Sequence, residues 1–152
     1  MKKLLMLLLM SYSTAAFAQK SNYSGTWQLD TTKTVFGKAP IWIIPKTIIV
    51  EQKVDKIILN RINLDTQFHD QPAVTETLPF DHTSYVYSLP SGAVSTTLNW
   101  SDDQSFNISR KGALTVFETW TLEDNGNTLV IDRNVEQPNG MKYNIKCYYD
   151  KN

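Results

Sequence analysis

Cysteine is almost missing from this chain: one, Cys147, in 152 residues. No internal disulfide can therefore hold the fold, and a lone thiol of this kind reads as a small buried hydrophobe. Histidine is nearly as scarce, with only His69 and His82. No H-x-H, C-x-x-C or H-E-x-x-H spacing occurs, which leaves a structural zinc or a metalloprotease without support. No glycine-rich phosphate loop and no cofactor motif is present. Basic runs are also absent, so nothing recommends a nucleic-acid partner. The one long apolar stretch, Leu4–Met10, is far short of the roughly 20 residues that a membrane span requires. Beyond Ala18 no segment keeps a 3.6-residue period for three turns, which argues against a helical bundle.

The amino-terminal residues read as an export signal. Lys2 and Lys3 precede the apolar run, and Ala16-Phe17-Ala18 fits a signal-peptidase site. This predicts a leader at 1–18, a single domain at 19–152, and an exported protein, periplasmic or extracellular. Without Lys2 and Lys3 the remainder carries two more acids than bases.

Alternation with period two recurs along 19–152, with turn residues every eight to twelve positions. Ten strands are expected, near 24–30, 46–54, 56–64, 73–80, 83–89, 93–100, 105–110, 114–122, 128–137 and 141–149. Short connections predict an antiparallel up-and-down meander. Turn chemistry fixes register. Asn125-Gly126 as a two-residue turn sets Trp120 opposite Ile131 and Glu118 opposite Arg133. Pro138-Asn139-Gly140 sets Arg133 opposite Ile145. A loop at 111–113 sets Arg110 beside Leu114, a turn at 90–93 sets Tyr87 beside Thr96, and Asp81-His82 sets Glu76 beside Tyr87. One inner face runs through the strands. The other face, with Asn107, Thr119, Asp132 and Lys146, is polar. An outer-membrane barrel shows the reverse. The expectation is all-β: about eight to ten strands closed into a water-soluble barrel.

Ser24-Gly25-Thr26-Trp27-Gln28-Leu29 opens the first strand. A loop with Lys33 and Phe36-Gly37 follows, then Pro45, then Ile48-Ile49-Val50-Glu51-Gln52. This order, with the ending Tyr148-Tyr149-Asp150-Lys151, resembles the exported bacterial lipocalin-like domains of the calycin superfamily. The resemblance implies a closed or nearly closed barrel with Gly25 and Trp27 as its signature. It also implies a basic residue from the last strand over Trp27, either Lys146 or Lys151. It does not fix a ligand.

Strand direction then places the inner polar residues by height. Trp27 and the Asn125-Gly126 turn mark the bottom. Loop 31–45 marks the top. Arg61, Glu76, Tyr87, Thr96, Arg110, Glu118 and Arg133 fall in the upper half, over an apolar floor that includes Trp100, Phe106 and Trp120. Three arginines against two glutamates leave one positive charge. Either the charges form an internal ion-pair network reached by water, or an anionic headgroup completes them. The first reading is a binding protein for a small amphipathic, anionic molecule, with Trp100, Phe106 and Trp120 as the apolar wall. Phe36, Ile41 and Trp42 lie in the top loop, as a lid or a plug. An interaction or enzyme-inhibitor module with a filled interior is the alternative, with a protein partner at its loops. An enzyme using Glu76 or Glu118 is the third. His69 as a haem ligand has the least behind it.

Overall fold

The computed structural model describes residues 20–152; the leader read at 1–18 lies outside them. Ten strands follow in chain order: β1 (Gly25–Leu29), β2 (Pro45–Gln52), β3 (Lys56–Asn63), β4 (Val74–Pro79), β5 (Tyr85–Leu89), β6 (Gly92–Trp100), β7 (Ser105–Lys111), β8 (Thr115–Glu123), β9 (Thr128–Glu136) and β10 (Lys142–Lys151). They form one antiparallel sheet in the order β4-β3-β2-β1-β10-β9-β8-β7-β6-β5. Each strand pairs with its neighbour in sequence except β4 with β5, and β1 pairs with β10 to bring the two ends of the chain together. The result is the nearly closed up-and-down barrel expected. Among the described residues no helix is long and apolar enough to cross a membrane.

Turn residues set the register where their backbone preference is strong. Asn125 and Gly126 both take positive φ, at 55° and 85°, and Asn127 N donates to Asp124 O. This is the type I′ geometry that matches strand twist, and it holds Trp120 opposite Ile131 and Glu118 opposite Arg133. Gly140, at φ 80°, ends the β9–β10 loop, and Arg133 faces Ile145.

Two hairpins slip by two residues from the expected pairing. Arg110 faces Val116 rather than Leu114, because the loop runs through Gly112–Leu114. Tyr87 faces Val94 rather than Thr96, because Pro90-Ser91 alone makes the turn and Gly92 takes φ 118°. A slip of two preserves which face each side chain occupies, so the inner face survives.

The larger correction is at β4 and β5. Glu76 does not pair with Tyr87 in a ladder; β4 and β5 are the two edges of the sheet. Phe80 N, where the hairpin would begin, donates instead to Asp55 O. Glu76 instead bonds across the gap to Thr96 and Arg110, and on β5 Tyr85 and Tyr87 stack at 5.9 Å.

The lower half of the interior is packed solid. Trp27, Leu59, Leu78, Leu98, Phe106, Ile108, Trp120, Leu129 and Cys147 belong to one buried cluster. Tyr23, fully buried, plugs its base: its ring meets Phe106 edge-on at 4.6 Å, and its hydroxyl donates to Gln104 O at 2.5 Å. Burial of each large apolar side chain contributes about 1.5–3 kcal/mol.

The opening motif now has a physical account. Lys151 Nζ lies 5.2 Å from the centre of the Trp27 ring, while Lys146 lies over Tyr148. Of the two candidates, Lys151 is the residue over Trp27. Gly25 makes this possible: a Cβ there would stand 2.8 Å from Lys151 Cε. Trp27 Nε1 donates to Tyr23 O, which ties the motif to the plug.

Candidate functional site

Halfway up the barrel the packed floor gives way to a belt of charge. One inward position on each of six strands supplies it: Arg61 from β3, Glu76 from β4, Thr96 from β6, Arg110 from β7, Glu118 from β8 and Arg133 from β9. All six are buried. Arg110 occupies the centre. Its Nε and Nη2 donate to the two oxygens of Glu76 at 2.8 and 2.9 Å, and its Nη1 donates to Glu118 at 2.7 Å. Arg133 Nη1 donates to the other Glu118 oxygen. Trp120 Nε1 reaches up from the floor to Glu118 at 2.9 Å, and Thr96 Oγ1 donates to Glu76 at 3.1 Å. Arg61 Nε lies 2.9 Å from Glu76 Oε2 without a directed hydrogen bond, and its Nη2 donates to the Tyr87 hydroxyl at 3.2 Å.

The chain Arg61–Glu76–Arg110–Glu118–Arg133 alternates in sign and ends positive at both ends. Burial alone would raise the glutamate carboxyls, yet the arginines outweigh it. Glu118 is held at about 2 by Arg110, Arg133 and Arg61. Glu76 is held well below the usual carboxylate range by Arg110 and Arg61. Burial, and then the Glu76 charge, push the Tyr87 phenol up. Both carboxylates are therefore ionised at neutral pH, and neither is a proton donor there.

Above the belt lies a cavity of about 240 Å³. Arg61, Arg110, Arg133 and Tyr87 line it, with Asn63 and Ser91. Glu76 and Glu118 do not: the guanidiniums face the space and their carboxylates stand behind them. The Nε groups of Arg61 and Arg133 are buried without a hydrogen-bond partner. The walls toward the mouth are apolar: Trp42, Ile43, Leu89, Val94, Leu114 and Val116. Drug-sized ligands occupy sites of roughly 300–1,000 Å³, so this space suits a smaller molecule or one end of a longer one.

The expected site residues thus divide. Arg61, Tyr87, Arg110, Arg133 and Trp42 meet at the cavity. Glu76, Thr96 and Glu118 brace the arginines. Trp100, Phe106 and Trp120 are not a cavity wall. They are packed among themselves and Tyr23, with Phe106 and Trp120 stacked at 5.2 Å. Polar residues lie above apolar ones as expected; the difference is that the space opens above the charges rather than below them. In the top loop a short 3-10 turn, Ile41–Ile43, aims Trp42 and Ile43 at the mouth. Phe36 instead packs on the core, and Ile41 does not line the cavity. Val94 and Val116 follow from parity, one inward step above the belt. Leu89 and Leu114 share that inward parity, and the two slipped hairpins change only which residues they face.

His69 and His82 lie in loops at opposite ends; His69 is exposed and outside the cavity lining. Among the described residues no three His, Cys, Asp or Glu side chains converge to hold a metal.

No protein-family model matches the chain, and no curated protein does. Among solved structures, the zebrafish ileal bile acid-binding protein in complex with cholic acid is similar in shape. Its TM-score is 0.58 at 14% identity, covering 87% of this chain and 100% of that one. The likeness shows the fold, a nearly closed antiparallel barrel.

Proposed function

We propose that this protein is an exported barrel that binds a small amphipathic carboxylate, or a comparable monoanion, in the cavity above the charged belt. The observation that carries the reading is the arrangement of charge: three guanidiniums face one cavity, and their two carboxylates lie behind them. The belt keeps one positive charge in excess, and an unpaired buried charge costs several kcal/mol. A carboxylate supplies the missing charge and accepts from Arg61 and Arg133 where these side chains line the cavity. Its tail then lies against Trp42, Leu89 and Leu114 at the mouth. The similar solved barrel contains an organic acid, cholic acid, which supports a ligand of this chemistry.

The filled lower interior favours a second reading, in which the barrel is a rigid support and its loops meet a protein partner. The excess positive charge of the arginines that line the cavity favours the first. Calorimetric titration with octanoate and with 1-octanol separates the two. The binding account expects one octanoate per chain, weakened by salt, and much weaker binding of the alcohol. Equal affinity for both, or none for either, contradicts it.

A further inference from the structure

Glu118 and Glu76 have similar environments but different reach. The partners of Glu118 come from its own strand β8 and the adjoining strands β7 and β9. The partners of Glu76 lie on both sides of the break in the sheet. Arg61 comes from β3, next to β4. Arg110 and Thr96 come from β7 and β6, on the far side. Among the described residues no backbone hydrogen bond joins β4 to β5. What joins the edges is side-chain chemistry: Glu76 to Arg110 and Thr96, Arg61 to Tyr87, and Phe80 edge-on to Trp100 at 5.6 Å near the bottom. The cavity borders this seam, with Arg61 and Asn63 on one flank and Tyr87 and Leu89 on the other.

We infer that Glu76 is a latch: its bonds to Arg110 and Thr96 take the place of the missing ladder, and when they release, the seam between β4 and β5 opens the cavity sideways. Edge strands without ladder partners have the least to lose in local opening, so a few side-chain bonds decide whether they separate. The aromatic contact of Phe80 with Trp100 stays shut below as the fixed end, while the latch lies at mid-height. A carboxylate entering the cavity offers Arg110 and Arg61 the same chemistry as Glu76, and so competes with the latch. Glu118, bound only within continuous sheet, has no such role.

Hydrogen exchange read by mass spectrometry, on ligand-free protein, tests this separately from any binding. Glu76→Gln is expected to speed exchange at least fivefold in peptides covering Val74–Pro79 and Tyr85–Leu89, and Glu118→Gln to leave those peptides at the wild-type rate. Unchanged exchange in Glu76→Gln, or an equal rise in both variants, overturns the latch. If Glu76→Gln does not fold, Tyr87→Phe, which removes the Tyr87 hydroxyl's contacts with Arg61 and Glu76 across the seam, is read instead. A smaller rise confined to the same two strands supports the latch, and no rise overturns it.

Discussion

Arg110 holds both oxygens of Glu76 from the far side of the break between β4 and β5, and donates its remaining nitrogen to Glu118. One guanidinium thereby joins two carboxylates that come from separate regions of the sheet. With Arg61 and Arg133 at the ends, the belt is one charge positive and faces a cavity.

That count makes a prediction with opposite signs. Arg133→Met leaves two arginines against two glutamates, a neutral belt, and octanoate affinity should fall at least tenfold. Glu118→Gln leaves the belt two charges positive, and affinity should rise. A tenfold change corresponds to about 1.4 kcal/mol, close to the lower end of what a hydrogen bond to a charged group contributes. Calorimetry of both variants reads it; a change of the same sign in the two would contradict the charge account.

Acid should loosen the belt in a defined window. The ordinary value for a glutamate is near 4.5, and the folded protein holds Glu118 at about 2. A lowered folded value means stabilisation that is complete above 4.5 and is lost as pH falls toward 2. Glu76 is lowered in the same direction. Chemical denaturation followed by tryptophan fluorescence at intervals from pH 6 to 2 should show stability dropping through that window. The drop should be smaller in Glu118→Gln, which has no proton to take up.

Cys147 should be chemically silent in the folded protein. It is buried opposite Ile131, and burial pushes its thiol up to about 12. At pH 8 the thiolate fraction is then on the order of one in ten thousand. A thiol reagent should label it only after denaturant is added. Rapid labelling of the native protein would place the side chain elsewhere.

Gly25 and Lys151 should couple. Gly25→Ala meets the Lys151 side chain at 2.8 Å and must also hold φ at 148°, a backbone cost of about 1–3 kcal/mol. Lys151→Ala removes the contact and the cation over Trp27, itself worth about 0.5–1 kcal/mol at an exposed site. The double variant should therefore be more stable than the two separate losses predict, yet still less stable than wild type. Strict additivity in the denaturation midpoints would remove the steric part of this account.

How much of this was legible beforehand follows from which forces act locally. Asn125-Gly126 and Gly140 dictate backbone conformation within a few residues, so the pairings Glu118–Arg133 and Arg133–Ile145 could be read directly. Parity then put every belt residue on the inside. The turns at Pro90 and Gly112 allow more than one loop length, and there the register slipped by two. The seam was not legible at all. Asp81-His82 has the composition of a hairpin turn, and what spans the unpaired edges is a set of side chains drawn from five strands. The filled floor has the same origin: whether Trp100, Phe106 and Trp120 line a space or fill it depends on Tyr23 packing among them.

The most direct test of the binding account is a crystal structure of the protein grown with octanoate. The account predicts one carboxylate within hydrogen-bond distance of Arg61 or Arg133, with the chain leaving past Trp42 and Leu114. An octanoate seated among Trp100, Phe106 and Trp120, or a cavity left without it under saturating octanoate, would contradict it.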